Sequence, residues 1–157
     1  MGWVNTDGAF DLVTRDAGVG VVVRNCNGEM INGFGCLVNV SSAVMSEFRA
    51  CEQGVQLALW NKYEKVVFET DSLEVFKFVY FKNQNVSWCV KVVAANIVDR
   101  LKLVPKYRLP SILRGANMAA DWVATQFKRK ICPENWLSQP PSSFVNVLSR
   151  DGLPAPP

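Results

Sequence analysis

The chain has 157 residues, of which 49% are hydrophobic and 20% are charged, and its formal net charge is +3. This length suits one domain with a sizeable core, and the apolar content excludes general disorder. No apolar run approaches the roughly 20 residues that a membrane-spanning helix needs, so we expect no membrane partner. The first residues reach the carboxylate of Asp7 too early for a signal-peptide core. We therefore expect an intracellular protein, with the nucleus and the cytosol both open.

The residue types that are missing restrict the chemistry. The chain contains no histidine, which excludes a Ser-His-Asp triad, a Cys-His site and any zinc site with a histidine ligand. Its five cysteines are an odd number without a C-x-x-C pair, so we expect buried, reduced thiols. The net charge is too small for a dedicated polyanion binder. Any catalysis must therefore use carboxylates, hydroxyls, lysines or a bound metal.

Three strands open the predicted domain. Residues 3–9 are extended, and residues 18–24 alternate around valines as a strand does. The pair Asn27-Gly28 favours a tight hairpin turn, and residues 30–38 form the returning strand.

Helices and strands then alternate along the chain. Ser41 and Ser42 cap a first helix that continues to about Leu59, and the capping box at 71–74 begins a second. Further helices are predicted at about 87–103 and 117–128, with strands at 65–70 and 107–113. The order β-β-β-α-β-α-α-β-α predicts an α/β fold with a mixed five-stranded sheet and helices on both faces.

The end of the chain differs in composition. From Pro133 onward, six of the eight prolines occur within 25 residues. We expect this segment to form no helix, and to lie across the domain as a Pro-rich strap with residues 153–157 loose. The predicted boundaries are 1–131 for the domain and 132–157 for the strap or tail.

Four acidic residues lie where a carboxylate is structurally awkward. Asp7 ends an apolar strand, and Asp71 follows the buried strand 65–70. Glu47 lies on a small apolar helix stripe, so it points toward the sheet, and Asp121 lies between two apolar residues in the last helix. Each acid also has an ordinary structural interpretation. Asp7 could be a turn residue and Glu47 a solvated residue at the helix edge. Asp71 could be a helix N-cap, and the helix dipole would favour Asp121.

Together, the four acids indicate a site. The predicted topology brings the ends of the first and fourth strands together beside the first helix, where the carboxylates would repel one another. A divalent cation is the simplest way to stabilise such a cluster at neutral pH.

The other charged residues are predicted at the surface. Glu52, Glu74 and Asp151 are expected in solvent, and Glu69 is a weaker functional candidate. The basic residues are expected to be solvated, with contact to a phosphate backbone as the alternative; they include Arg100, Lys102, Lys106, Arg108, Arg114 and residues 128–130.

Four ordered motifs resemble those of type 1 ribonuclease H. The matching segments are 5–9 with 18–25 and 27–28 for its opening hairpin, Ser46-Glu47 with Ala50 and 54–55 for its first helix, and 66–72 and 114–124 for its last two acidic motifs. The resemblance covers residues 3 to about 149. It is closest to the plant branch, the reverse-transcriptase-like domains of retroelement-derived proteins.

The resemblance implies an endonuclease that hydrolyses the RNA strand of RNA–DNA hybrids. Two Mg²⁺ ions, for which Mn²⁺ could substitute, would bind the catalytic carboxylates, with Asp71 as the bridging ligand. The catalytic and metal-binding residues would be Asp7, Glu47, Asp71 and Asp121. The residues that contact the hybrid would be Gly8, Ser41, Ser42 and Asn117.

The chain also departs from the family pattern. Ser111 occupies the position where the family commonly has a histidine, so we expect slow turnover. Ala43, Val44 and Leu73 replace polar contacts, and the basic handle of some members is missing. The alternative hypothesis is a catalytically silent nucleic-acid-binding or interaction domain that retains the fold. We expect a monomer, alone or as part of a larger retroelement-derived protein.

A third alternative is an unrelated mixed α/β domain. It explains the order of the predicted elements and leaves the four acids unexplained.

Overall fold

The computed structural model describes residues 1–82 and 85–151, and within them five strands form one mixed sheet in the order β3-β2-β1-β4-β5. The strands are β1 (Gly2–Phe10), β2 (Ala17–Arg24), β3 (Met30–Leu37), β4 (Lys65–Thr70) and β5 (Lys106–Arg108). The helices are α1 (Ala43–Trp60), α2 (Leu73–Phe81), α3 (Trp88–Leu101), α4 (Met118–Lys128) and α5 (Ser142–Arg150), with a 3₁₀ turn at Arg114–Ala116. No helix in this described part combines the length and apolarity needed to cross a membrane.

The pairing of the strands confirms the predicted α/β architecture. β1 pairs antiparallel with β2, which pairs antiparallel with β3. On its other side β1 pairs parallel with β4, and β4 pairs parallel with β5. β1 is therefore central, and its carboxyl-terminal half lies beside the end of β4.

Helices cover both faces of the sheet, as the sequence predicts. On one face α1, α2 and α3 enclose a core that includes Val4, Phe48 and Phe68. On the other face α4 and α5 enclose a smaller core around Val22 and Phe144. Successive valines of β2 contribute to different cores, Val21 and Val23 to the first and Val22 to the second, as the period of a strand requires.

The contact between α4 and β2 depends on glycine. A Cβ atom added at Gly20 would overlap the carbonyl oxygen of Ala120 and lie 2.6 Å from the amide nitrogen of Ala124. Gly18 is covered in the same way by Ala124 and Lys128. The absence of these side chains brings α4, and with it Asp121, close to the sheet.

The fifth strand is shorter than predicted. It ends at Arg108. Beyond it, an isolated parallel bridge between Thr70 and Ser111 is the remaining pairing with β4 in the predicted range 107–113. Pro110 lacks the N–H group that a continuous ladder requires, which explains the interruption.

The prediction that the segment from Pro133 forms no helix is wrong. α5 begins at Ser142, directly after Pro141, and the next proline lies outside the described residues. Proline is tolerated at the start of a helix, so the proline pair precedes α5 without interrupting it. Phe144 and Leu148, one turn apart, are both fully buried against α4 and Trp136. The expectation of a loose end at 153–157 concerns residues outside the described ranges.

Of the acids predicted in solvent, Glu52 is buried and Asp151 is half-buried. Glu52 is 6% exposed and pairs with Arg49 at 2.9 Å and with Arg100 at 3.4 Å. Its partner on α3 is 48 residues away along the chain, so local sequence contains no signal for it. Asp151 is half-buried, and its Oδ2 accepts a hydrogen bond of 2.9 Å from the amide of Ala119 at the start of α4.

The cysteines are free, as expected, but they are not all buried. Cys51 is buried, Cys36 and Cys132 are half-buried, and Cys26 and Cys89 are exposed. Cys26 lies in the hairpin turn after β2, and Cys89 lies in the first turn of α3 on its outer side. The prediction of buried thiols is therefore wrong for these two residues.

The contact of α4 with the sheet can be tested at Gly20. We expect Gly20→Ala to lower the free energy of unfolding by about 1–3 kcal/mol, because the new methyl group would push α4 from β2. Urea denaturation measures the change. The control is Gly115→Ala, since nothing lies within 4 Å of a Cβ at that position. Equal stabilities of the two variants would contradict the proposed close contact.

Candidate metal centre

Three carboxylates converge where β1 and β4 run side by side. The parallel register pairs Thr6 with Thr70, so the next residues, Asp7 and Asp71, lie next to each other. Glu47, in the second turn of α1, reaches them from one face of the sheet. One carboxylate oxygen from each acid lies within 4.8 Å of the others. The structure therefore brings together three of the four acids that the sequence singles out.

The fourth acid, Asp121, lies at the edge of this group. It projects from the first turn of α4 into the same cleft, which has a volume of about 520 Å³. Its Oδ1 lies 3.9 Å from Nη2 of Arg114, and its charge contributes to raising the pKa of Asp7. Asp121 is outside the group of three mutually close oxygens, but it faces the same space.

The carboxylates of the cluster hold their protons unusually tightly. Burial raises the pKa of Asp7 to about 10, and the charges of Glu47, Asp71 and Asp121 add to the rise. Burial likewise raises the pKa of Glu47 to about 7, with Asp71 contributing. Burial also raises the pKa of Asp71, although Arg114 opposes the rise. In the metal-free protein, bound protons therefore reduce the negative charge of the cluster.

The donor set fits a hard divalent cation. The three convergent side chains offer carboxylate oxygens alone, which Mg²⁺ and Mn²⁺ accept as ligands. The pKa of Asp7 is raised by burial and by three neighbouring carboxylates, which a bound cation would counteract. Asp7, Glu47 and Asp71 could therefore hold a metal ion, with Asp121 within reach of the same cleft.

Two basic side chains lie at the border of the acidic cleft. Arg114 is 81% exposed, and Lys128 lies near the end of α4. Sequence analysis named both as basic surface residues but did not place them at the site. The signal for Lys128 is its spacing, since residues 121, 125 and 128 share one helical face. All three line the cleft.

The predicted hybrid-binding residues lie in different places. Gly8 lines the cleft, and its amide donates a 3.2 Å hydrogen bond to Oε2 of Glu47. Ser42 caps α1 by accepting a hydrogen bond of 3.1 Å from the amide of Met45. Ser41 lines a separate depression on the surface. The structure therefore brings only Gly8 of these into the acidic cleft.

Asn117 is buried rather than presented to a ligand. It is 1% exposed, and its Nδ2 donates to the carbonyl oxygen of Thr6 at 2.9 Å. Its Oδ1 accepts a hydrogen bond from Nδ2 of Asn5 at 3.2 Å. Both ends of the amide are therefore occupied by β1.

Comparison with known proteins assigns the chain to a family. Residues 5–127 match the family model described as reverse transcriptase-like. The chain belongs to this family. No curated protein has a sequence that matches the chain significantly.

Comparison with solved structures shows which fold this chain adopts. Ribonuclease H1 of the archaeon Halobacterium salinarum has a TM-score of 0.77 and 17% identity, over 82% of this chain and 98% of that one. LC11 ribonuclease H1, solved with an RNA/DNA hybrid, has a TM-score of 0.75 and 18% identity, over 83% and 98% of the two chains. The protease–reverse transcriptase of prototype foamy virus has a TM-score of 0.66 and 23% identity, over 81% of this chain and 20% of that one. The fold of the reverse transcriptase-like chain is thus the ribonuclease H fold, whereas the plant branch stays a prediction.

The raised pKa of Asp7 predicts that the free energy of unfolding decreases as the pH rises. In the folded protein the pKa of Asp7 is about 10, whereas an unperturbed aspartate has a pKa of 3.8. Between these values the folded state binds more protons than the unfolded state, so stability falls as pH rises. For one proton, the fall is up to about 1.4 kcal/mol per pH unit.

Urea denaturation in metal-free buffer, from weakly acid to weakly alkaline pH, measures this slope. We expect Asp7→Asn to flatten it and to be more stable than the wild type at alkaline pH. Asp99→Asn, which changes a carboxylate with 72% exposure, should leave the slope unchanged. A wild-type stability that increases with pH over this range would contradict a protonated Asp7.

Proposed function

We propose that the chain is a divalent-metal-dependent endonuclease that hydrolyses the RNA strand of RNA–DNA hybrids. The observation that supports this most is the convergence of Asp7, Glu47 and Asp71, with oxygens within 4.8 Å of one another, in a ribonuclease H fold. One of the similar proteins, LC11 ribonuclease H1, was solved with an RNA/DNA hybrid. The proposal transfers that substrate class to this chain.

The four acids would share the metal ions. Asp7, Glu47 and Asp71 would provide the central ligands, and Asp121 would complete the set from α4. Bound Mg²⁺, or Mn²⁺ in its place, would supply Lewis-acid stabilisation of charge at the scissile phosphate and a nucleophile at neutral pH. The protein itself would hold the four carboxyl groups in one cleft, although neighbouring carboxylates repel one another.

Other residues would position the hybrid over the acids. Arg114 and Lys128 offer positive charge to phosphates at the border of the cleft. Gly8 would offer the hybrid backbone atoms only, because α1 fills the space that a side chain at this position would need. Ser41 and Ser42, at the start of α1, remain candidates for contacts to 2′-hydroxyl groups in the wide minor groove.

A second candidate function is a catalytically silent domain that binds nucleic acid or protein. The absence of histidine from the chain favours it, because proton transfer then depends on the acids and on water. Ser111, at the position of the family histidine, is half-buried in the bridge to Thr70. This candidate would retain hybrid binding without hydrolysis, or would lack both.

Cleavage of a labelled substrate separates the two functions. We expect the wild type to cut the RNA strand of a hybrid in Mg²⁺ or Mn²⁺ and to leave duplex DNA intact. Asp71→Asn should reduce cleavage to the background of a protein-free sample, because it removes a central ligand. Asp99→Asn is the control that should retain activity. Absence of cleavage by the wild type in Mn²⁺ would favour the silent domain, and equal cutting of both duplexes would contradict the specificity.

The role of Arg114 can be tested by kinetics. If it contacts one phosphate, Arg114→Ala should raise the KM for the hybrid and reduce the slope of log KM against log salt by about one. Arg114→Lys should restore part of the affinity, because it keeps the charge. Arg108→Ala is the matched control, since Arg108 is exposed but lies outside the cleft. An unchanged KM in Arg114→Ala would exclude the phosphate contact.

A further inference from the structure

A buried group of polar side chains lies behind the metal cleft. It consists of Asn5 on β1, Arg24 on β2, Glu69 on β4 and Asn117 at the start of α4, and we call it the Asn5 network. Asn5 and Asn117 are 4% and 1% exposed, and the side chains of Arg24 and Glu69 are 18% and 17% exposed. The network therefore adds side-chain contacts between three neighbouring strands of the sheet and the start of α4.

The hydrogen bonds of the network use Asn5 completely. Its Oδ1 accepts from Nη2 and Nε of Arg24 at 2.9 and 3.1 Å. Its Nδ2 donates to Oε2 of Glu69 at 2.7 Å and to Oδ1 of Asn117 at 3.2 Å. Arg24 and Glu69 also pair directly at 2.8 Å. The two charges neutralise each other, so the network is balanced without the metal cleft.

Each of three network residues lies a few positions before a site acid in the chain. Asn5 lies two residues before Asp7, and Glu69 lies two residues before Asp71. Asn117 is the N-cap residue of α4, and its carbonyl oxygen accepts a hydrogen bond of 3.1 Å from the amide of Asp121.

Asn117 extends the network to the residue beside Asp7. Its Nδ2 donates to the carbonyl oxygen of Thr6, the residue that precedes Asp7. The network thus joins the backbone segments that carry three of the four acids.

The network does not face the proposed substrate. Its members line a separate pocket of about 190 Å³, together with Asp151 and the first residues of α4. None of the four lines the acidic cleft. Any effect of these residues on metal binding must therefore pass through the positions of β1, β4 and α4.

We propose that the Asn5 network is a positioning device that fixes the spacing of Asp7, Asp71 and Asp121 for a divalent cation. The carboxylates repel one another, so a loosely held cluster would spread apart in the absence of metal. The network opposes this by adding buried and partly buried side-chain hydrogen bonds between β1, β2, β4 and the start of α4, and the loss of one partner would leave polar groups unsatisfied. Its members are positioning residues and do not contact the substrate. This inference rests on the proposed function.

The test combines metal binding with kinetics. We expect Glu69→Ala to weaken Mn²⁺ binding, measured by titration calorimetry of the full chain, by about 10-fold or more, the range found when partners of metal ligands are removed. The Mn²⁺ concentration for half-maximal cleavage should rise by a similar factor, while the KM for the hybrid stays within about twofold because the cleft surface is intact. Glu69→Gln should retain most of the affinity, because its side-chain oxygen can still accept from Asn5 and Arg24.

Two further variants keep the result interpretable. Asn117→Ala breaks the network at α4 and should weaken Mn²⁺ binding in the same direction, even if Glu69→Ala fails to fold. Glu52→Ala is the control, because Glu52 is also a buried acid paired with two arginines but does not line the cleft.

Three outcomes would decide the matter. Weaker Mn²⁺ binding in Glu69→Ala and Asn117→Ala, but not in Glu52→Ala, would support the proposal. Unchanged Mn²⁺ binding in both network variants would overturn it and leave the network a purely structural element. If the wild type binds Mn²⁺ but does not cleave the hybrid, the proposed function is rejected. The proposal about the network is still tested in that case, because calorimetry measures Mn²⁺ binding independently of cleavage.

Discussion

The constraint on which the rest of the structure depends is the enforced proximity of carboxylates at one end of the sheet. The parallel pairing of β1 with β4 places Asp7 and Asp71 side by side, and α1 adds Glu47 from one face. In the absence of a cation this arrangement is unfavourable, because burial first and the neighbouring carboxylates second raise the pKa of Asp7. Contacts outside the cluster must therefore hold β1, β4 and α1 in place against this repulsion.

Those contacts lie on both faces of the sheet. On one face α1 packs so closely on β1 that Gly54 and Gly8 have no room for side chains. On the other face Gly18 and Gly20 admit α4, and Asp151 at the end of α5 accepts a hydrogen bond from the amide of Ala119. The C-terminal helix thus stabilises the start of α4, the helix that carries the fourth acid. The Asn5 network adds a polar tie between the same elements behind the cleft.

Much of this architecture could be predicted because local patterns specify it. The valines of β2, the capping serine of α1 and the apolar run of β4 define their elements, and the chain order then brings Asp7 and Asp71 together. The rest depends on contacts between distant segments. Glu52 pairs with an arginine 48 residues away, and Asn117 bonds to Thr6 across 111 residues, so neither burial could be predicted locally. α5 lies in a proline-free stretch, residues 142–153, within a segment whose overall composition is rich in proline, so the composition of the segment as a whole does not predict it.

The central claim is that the acidic cluster keeps protons which a divalent cation displaces. Titration of the metal-free protein with Mn²⁺ near neutral pH, in two buffers that differ in ionisation enthalpy, counts the protons released on binding. We expect saturable binding with release of about one proton or more, chiefly from Asp7, since ligands must be deprotonated to coordinate. Binding without proton release, or no binding at all, would contradict the claim.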